Sequence, residues 1–352
     1  MIYPVILAGG WGERLWPMST PSRPKQVLTL GASRSLVGRT LDRVEPIAAA
    51  GRTLVMTSAM IGETIPVELP GVPGDRIVAE PLRRNTAPAI ALAARLLALE
   101  DPDAVMIVLP ADHIIGDDEA FRRTLLRAED VAESERSLVT LGITPSRPDT
   151  EYGYIEAGES VADGVHRVRR FTEKPDAGTA EGFIASGRYY WNSGMFIWRA
   201  DVFLGEVSTY LPDVACALER VTVAPGDPSF GEQMEAFYRD VPSISVDYGV
   251  MERTQRALVV PSDFGWDDVG AWSALGRVWK PDEDGHSTLG EVVLLDSRDC
   301  IGYAEGGVVA AVGLEGLVVV HTPDATIVCP RERAREVRDL LAEVRRRAEK
   351  SQ

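Results

Sequence analysis

Lysine is scarce in this 352-residue chain: Lys25, Lys174, Lys280 and Lys350 are the only ones among 37 basic residues. A lysine inside a motif therefore stands out against a background in which arginine carries nearly all the positive charge. Basic charge as a whole is also short, with 37 Lys and Arg against 53 Asp and Glu, a net charge of −16. That balance argues against nucleic acid as a partner, because binding to a phosphate backbone calls for a basic excess. It leaves room for a small anion, which needs only a local cluster of cations. Cysteine is limited to Cys216, Cys300 and Cys329, too few and too scattered for a disulfide framework or a zinc site. Long apolar runs are missing too, none reaching the ~18 residues of a membrane-spanning helix. The opening residues, MIYPVILAGG, have neither the basic region nor the long apolar region of a secretory leader. A cytoplasmic protein is expected.

What is present is an alternation. Apolar runs at 2–8, 53–58, 76–79, 104–109 and 137–142 are separated by helical patterns at 36–49, 86–100 and 119–134. This predicts an α/β fold, a Rossmann-like mixed and mostly parallel sheet flanked by helices. The run 104–109, AVMIVL, is apolar throughout, as a central parallel strand is. The helix at 86–100 has Asn85 or Thr86 as its cap and Pro88 in its first turn. From about residue 150 aromatic-rich segments at 152–156, 168–171 and 189–198 read as antiparallel strands, separated by helices near 176–186, 200–210 and 229–239. A strand at 257–261 and a helix at 270–279 close this region. After Pro281 come short strands rich in valine and glycine, to about residue 329, which fit a short β-solenoid or a small sheet. The last helix, 331–349, carries Ala334, Val337, Leu340, Leu341 and Val344 on one face. Length alone favours about two domains, and we expect a catalytic domain over 1–280 and a small β-rich domain with a terminal helix over 281–352.

The chemistry starts at Leu7-Ala8-Gly9-Gly10-Trp11-Gly12-Glu13-Arg14-Leu15, continuing to Pro24-Lys25. A glycine loop after a first strand lets backbone N–H groups approach phosphates closely. It is not a P-loop, because Gly12 is followed by Glu13-Arg14 and not by Lys-Ser/Thr, and it is not a dinucleotide fingerprint, because position 15 is leucine. Pro17, Pro21 and Pro24 also block the helix that such loops open. What remains is a glycine loop with a forked cation, Arg14, and a point cation, Lys25, an arrangement suited to a triphosphate. A bare strand-to-loop turn explains the glycines but not the two cations.

The pattern G-G-x-G-x-R-L followed by P-K resembles the signature of the sugar-1-phosphate nucleotidyltransferases. Further segments narrow the resemblance to mannose-1-phosphate guanylyltransferases: Glu80-Pro81-Leu82-Arg83-Arg84-Asn85-Thr86-Ala87-Pro88-Ala89, Leu109-Pro110-Ala111-Asp112-His113, Tyr152-Gly153-Tyr154-Ile155, Phe171-Thr172-Glu173-Lys174-Pro175, Asn192-Ser193-Gly194-Met195-Phe196 and Trp266-Asp267-Asp268-Val269-Gly270. They stand in family order from residue 5 to about residue 275. The resemblance implies GTP and α-D-mannose 1-phosphate as substrates, GDP-mannose and diphosphate as products, and Mg²⁺ as the metal. Some members carry an added isomerase domain, which is not expected within these 352 residues.

It also implies site residues. Leu7, Ala8, Gly9, Gly10, Gly12, Arg14, Glu80, Asn85, Thr86 and Asp112 would hold the nucleotide. Lys25, Gly153, Glu173, Lys174 and Asn192 would hold the sugar phosphate. Arg14, Lys25, Asp112 and Asp268 would act on the reacting phosphates, with Asp112 and Asp268 as metal ligands. The residues have readings of their own beside these. Asp112 follows an apolar strand, and ligands of open α/β sheets bind beyond the carboxyl ends of strands; alternatively it caps the following turn. Asp267 lies beside Asp268, and which of the two faces the metal is open at this level. Glu80 can accept from two adjacent guanine donors, N1–H and the 2-amino group, where uracil or thymine offers one; its other reading is a helix-dipole or salt-bridge role with Arg83 or Arg84. Glu173-Lys174 has the alternative of a surface ion pair, Gly153 and Asn192 that of ordinary turn residues. His113 reads as a structural histidine, since transfer to an existing phosphate oxygen needs no general base. Asp247-Tyr248-Gly249-Val250-Met251-Glu252 also has a family look but no chemical role.

Two other classes fit less well. An NAD-dependent oxidoreductase is opposed by the absent third glycine and the three prolines. A non-catalytic sugar-nucleotide-binding paralogue should have lost a phosphate cation or a metal carboxylate, and all four are present. Within the class, another base or hexose is the alternative, with Glu80 the discriminating residue. The final helix needs a partner surface, and a homodimer is expected.

Overall fold

The computed structural model describes residues 1–350. Its strands are β1 (Ile2–Ala8), β2 (Leu54–Ser58), β3 (Ile77–Glu80), β4 (Val105–Pro110), β5 (Leu138–Ile143), β6 (Tyr154–Ala162), β7 (Val165–Thr172), β8 (Tyr189–Arg199), β9 (Ala257–Ser262), β10 (Ser287–Leu295), β11 (Ile301–Val312), β12 (Leu317–His321) and β13 (Thr326–Pro330). Its α-helices are α1 (Leu36–Val44), α2 (Ile65–Glu68), α3 (Thr86–Glu100), α4 (Asp118–Glu135), α5 (Ala177–Ser186), α6 (Ala200–Tyr210), α7 (Pro212–Leu218), α8 (Phe230–Asp240), α9 (Trp272–Val278) and α10 (Val337–Lys350). Among the described residues, no helix is long and apolar enough to cross a membrane.

The chain folds into two compact units, and neither is a single stretch of sequence. The larger comprises Met1–Gly9, Thr40–Ala111 and Ile115–Trp266; the smaller comprises Gly10–Arg39, Asp112–Ile114 and Asp267–Gln352. The larger unit is built on a nine-stranded mixed sheet in the order β3-β2-β1-β4-β8-β5-β9-β7-β6. The segment β3-β2-β1-β4 is parallel throughout, with Leu7 of β1 opposite Pro110 of β4 and Ser58 of β2 opposite Glu80 of β3. The aromatic-rich segments join this same sheet, β8 running antiparallel to both β4 and β5. Residues Val105–Leu109 of β4 are all buried, which is why the strand is apolar on both faces.

Helix α3 is buried nearly all round, and its sequence is correspondingly alanine- and leucine-rich. It begins where expected: Asn85 accepts a hydrogen bond from Thr86 N through its side chain. Asp117 caps α4 through Glu119 N and Ala120 N. Two expectations need correction. The helix at 36–49 stops at Val44, and a seven-residue helix, α7, begins at Pro212 where none was expected.

The smaller unit contains a four-stranded sheet, β10-β11-β12-β13, parallel except for the last pair. Its core brings Leu15, Met18, Leu28 and Leu36 from near the N-terminus together with Trp272, Ile301, Val318 and Val337. The glycine-loop segment is thus built into the same core as the C-terminal strands. The final helical region starts as a 3₁₀ segment, Arg331–Glu336, before α10. The single apolar stripe expected there is divided: Ala334, Val337 and Leu341 are buried, while Leu340 and Val344 are about 40% exposed.

Candidate active site

Three parallel strands deliver residues at their carboxyl ends. Glu80 is the last residue of β3, Gly9 follows β1 directly, and Asp112 comes two residues after β4. This is where ligands of open α/β sheets collect.

The carbonyls of the glycine loop are all taken up by donors of the protein. Ala8 O accepts from Thr57 Oγ1 at 3.1 Å, Gly9 O from an Arg83 guanidinium nitrogen at 3.4 Å, and Gly10 O from Gln26 Nε2 at 2.5 Å. Trp11 O accepts from Lys25 N at 3.1 Å and Gly12 O from Ser19 Oγ at 2.5 Å. In a trans peptide the carbonyl and the following N–H point opposite ways. Carbonyls turned into the protein therefore leave the following amides turned away from those donors, as an anion site requires. Gly12 has φ 80°, and a Cβ there would lie 2.6 Å from Lys25 Cβ. The position needs glycine twice over, for its conformation and for the lysine stem packed on it. Arg14 is half-buried in the 3₁₀ turn Glu13–Leu15. After this turn the chain passes through a cis Trp16–Pro17 bond and does not enter an α-helix.

Lys25 is buried, and it donates to Asp112 Oδ2 at 2.8 Å and to the Asp268 carbonyl at 2.5 Å. An antiparallel bridge between Ile114 and Asp267 brings these two acidic segments side by side. Burial pushes the Asp112 carboxyl up, but the Lys25 ammonium, by charge and by hydrogen bond, and His113 when protonated outweigh it and hold the group below the ordinary carboxylate range. Burial lowers His113, with the Lys25 charge acting in the same direction and the Asp112, Asp268 and Asp267 carboxylates against it, favouring the neutral ring.

The structure separates Asp267 from Asp268. Asp267 Oδ2 is paired with Arg277 Nε at 2.6 Å, and its Oδ1 accepts from Val269 N at 2.8 Å. Both its oxygens are committed, one to α9 and one to the loop. Asp268 Oδ1 accepts from Gly270 N at 3.2 Å, and a Cβ on Gly270 would lie 2.7 Å from Asp268 Oδ2, which explains the glycine two residues on. Between them Val269, fully buried and β-branched, is held at φ 47°. Such a conformation costs about 1–3 kcal/mol and persists where the surroundings enforce it. Lys174 and Asn85 have positive φ as well, at 48° and 67°, so three of the family-like motifs contain a strained residue.

Glu80 is buried in the larger unit. Burial raises its carboxyl to about 7, the Tyr238 hydroxyl and Arg83 opposing the rise only partly. Its Oε1 would lie 3.8 Å from a Cβ on Gly9, ordinary contact distance, so the carboxylate lies against the start of the glycine loop. Arg84 is committed elsewhere, donating to Tyr238 O at 2.9 Å. Asn85 Oδ1 and Thr86 Oγ1 hold the start of α3, Thr86 Oγ1 accepting from Val246 N at 2.9 Å.

A second cluster of the larger unit gathers Gly153, Glu173, Lys174 and Asn192. Lys174 Nζ donates to Glu173 Oε1 at 2.9 Å, and a Cβ on Gly153 would run into Glu173 Oε2. Asn192 Oδ1 accepts from Gly194 N at 3.1 Å and Thr140 Oγ1 at 3.3 Å, which fixes its amide so that Nδ2 donates to Asp247 Oδ1 at 2.8 Å. Asp247 is the residue for which the sequence offered no role. It opens a single π-helical turn, Asp247–Met251, a form that often marks functional sites. Burial, with the Glu173 charge, raises it to about 6.

Comparison with known proteins decides the family. A model described as nucleotidyl transferase matches residues 3–285. The chain belongs to the nucleotidyl transferase family. Residues 290–344 match a second model, described as a mannose-P isomerase/GMP-like beta-helix domain. Among curated relatives of this nucleotidyl transferase, the xanthan biosynthesis protein XanB of Xanthomonas campestris pv. campestris is 42% identical over 98% of this chain and 73% of its own. A mannose-1-phosphate guanylyltransferase of Salmonella montevideo is 40% identical over 98% of this chain and 74% of its own. A solved structure from Thermus thermophilus, described as a mannose-1-phosphate geranyltransferase, superposes with TM-score 0.88 at 38% identity, covering 98% of this chain and 99% of that one. The resemblance read from the motifs is borne out, as are the mixed α/β fold and the β-rich C-terminal part.

Proposed function

We propose that this nucleotidyltransferase makes GDP-mannose and diphosphate from GTP and α-D-mannose 1-phosphate. The observation that carries the reading is the buried Lys25 ammonium, held on Asp112 and the Asp268 main chain beside a loop whose carbonyls are all bonded into the protein. The relatives named for mannose-1-phosphate transfer support the choice of substrates.

A phosphate oxygen of the sugar phosphate attacks the α-phosphorus of GTP in line. The new P–O bond forms as the bond from the α-phosphorus to the α–β bridging oxygen breaks, and the electron pair leaves with diphosphate. Catalysis is then positioning and neutralisation of charge. The loop amides and Arg14 hold the departing phosphates, and Lys25 lies against the α-phosphate and the attacking phosphate. Glu80 as a carboxylate accepts from guanine N1–H and the 2-amino group. Gly153, Glu173, Lys174 and Asn192 hold the sugar phosphate, with Asp247 added as a hydroxyl acceptor.

Asp112 and Asp268 suit Mg²⁺, which is commonly held by one or two carboxylates together with substrate phosphates. Among the described residues no group of three or more His, Cys, Asp or Glu forms a metal site by itself, which fits an ion completed by substrate oxygens. When bound, Mg²⁺ supplies further neutralisation of phosphate charge.

On this reading residues 1–280 carry most of the chemistry, and 281–352 form the smaller β-rich part. A homodimer accords with the exposed apolar residues Val293, Leu295, Val308 and Val312 of β10 and β11; light scattering giving a pure monomer at micromolar concentration would refute it. The substrate assignment is tested by diphosphate release across a matrix of nucleotides and hexose 1-phosphates with Mg²⁺. GTP with mannose 1-phosphate should give the highest kcat/KM, and a preference for another pair would overturn it.

A further inference from the structure

The terminal helix touches the glycine loop at two points, both within the smaller unit. Arg338 Nε lies 3.4 Å from Glu13 Oε2, and the Arg345 guanidinium stands 5.3 Å from the centre of the Trp11 ring. The spacing of seven residues is two helical turns, so both side chains stand on one face of α10. Val337 and Leu341 of the same helix are buried. Trp11 itself is only 3% exposed, although it sits between Gly10 and Gly12 in the phosphate loop.

Trp11 leads directly to Lys25. Its carbonyl accepts the Lys25 amide at 3.1 Å, and the adjacent Gly12 packs its bare Cα on the Lys25 stem. The Lys25 ammonium then holds Asp112 at 2.8 Å. A shift of the Trp11 peptide would therefore carry the backbone under Lys25 with it, and positioning errors of this kind are costly to catalysis. We infer that α10 is a brace for the nucleotide loop, Arg345 and Arg338 acting as positioning residues that keep Trp11 and Glu13, and through them the loop amides and Lys25, in the phosphate-binding arrangement. This gives the final helix a partner surface within its own unit. It rests on the nucleotide-loop role proposed above.

The test compares Arg345→Ala, Arg345→Lys, Arg338→Ala and the control Arg347→Ala in the full chain. Arg347 pairs with Glu343 on its own helix. Arg345→Ala should raise KM for GTP about threefold to tenfold, the range of a partly desolvated cation–π contact, with KM for mannose 1-phosphate unchanged. Arg345→Lys keeps a cation over the ring and should recover most of the loss; Arg338→Ala should have a smaller effect, its pair being exposed, and Arg347→Ala none. Hydrogen exchange of the Lys25 amide, which is bonded to Trp11 O, gives a readout that needs no turnover, and it should quicken in Arg345→Ala. Unchanged GTP KM and unchanged exchange in folded Arg345→Ala would overturn the brace, as would equal losses for Ala and Lys accompanied only by a lower Tm. Faster exchange with no GTP turnover in the wild type would sustain the brace and refute the substrate assignment instead.

Discussion

Glu80 and Asp112 are both carboxylates drawn out of bulk water at the ends of parallel strands, and they titrate in opposite directions. Asp112 has the Lys25 ammonium 2.8 Å away and is held below the ordinary range. Glu80 has the Tyr238 hydroxyl and the Arg83 charge, and burial carries it up to about 7 all the same. The difference is one of when the partner arrives. Asp112 is compensated by the fold itself, so on the proposed reading the phosphate-binding segment is already charged before substrate binds. For Glu80 the Tyr238 hydroxyl and Arg83 offset burial only partly, and on the proposed reading the base brings the remaining donors. Guanine brings two. A buried polar group left without its partner discriminates strongly between ligands, which is the property a base-reading residue needs.

Removing the compensating cation should have the largest effect. Lys25→Met keeps the stem that Gly12 packs against and deletes the ammonium. We expect kcat to fall about 10²–10³-fold, the range seen when a transition-state donor is lost. Near-normal turnover in a folded variant would show that Lys25 serves Asp112 alone.

The next contrast lies among the aspartates. Asp112→Asn and Asp268→Asn should each raise the Mg²⁺ concentration needed for half-maximal rate. Asp267→Asn breaks the ion pair with Arg277 and should lower Tm while leaving the metal requirement in place. A larger metal effect in Asp267→Asn would reverse the assignment of the pair.

Asp247→Asn should raise KM for mannose 1-phosphate about tenfold, the lower end for hydrogen bonds to a charged group, with little change in KM for GTP. Steady-state kinetics with each substrate varied in turn checks this, and equal changes in both constants would make Asp247 a support for Asn192 only.

The same acid-to-amide change should act on stability with opposite signs at the two carboxylates. For Glu80, folded protein holds a proton that unfolded chain has lost between about pH 4.5 and 7, so stability falls as pH rises through that window. Above pH 7 the buried charge costs roughly 3 kcal/mol. Glu80→Gln should thus raise Tm at pH 8 and leave it nearly unchanged at pH 4. Asp112, depressed in the fold, contributes stability that is lost as pH falls, so Asp112→Asn should lower Tm at pH 8. Thermal melts at the two pH values test both signs.

Much of this was legible in the sequence. The continuous apolar runs of β1 and β4 and the Asn85 cap of α3 are local signals, and the glycine loop with Lys25 marks itself by the rarity of lysine. What stayed hidden is non-local. No periodicity tells that residues 10–39 share a core with Trp272 and Val318, or that Arg345 reaches Trp11. Asp267 and Asp268 look alike until Arg277, ten residues on, takes one of them. Asp247 sits in a π-helical turn that follows neither the helical nor the strand period. Pro212 opens α7 as a first-turn proline, which in sequence reads equally as a break.

The most direct measurement is kcat/KM for GTP, ITP and UTP in wild type and Glu80→Gln. ITP lacks the 2-amino group, so it should be a poorer substrate than GTP for the wild type. Glu80→Gln should cost GTP tenfold or more, since lost bonds to a charged group are worth about 1.5–3 kcal/mol each. It should cost ITP less, because one contact is already absent, and discrimination against UTP should fall. Equal penalties for all three nucleotides would contradict the account: Glu80 would then support only its own loop through Arg83, and guanine would be read elsewhere.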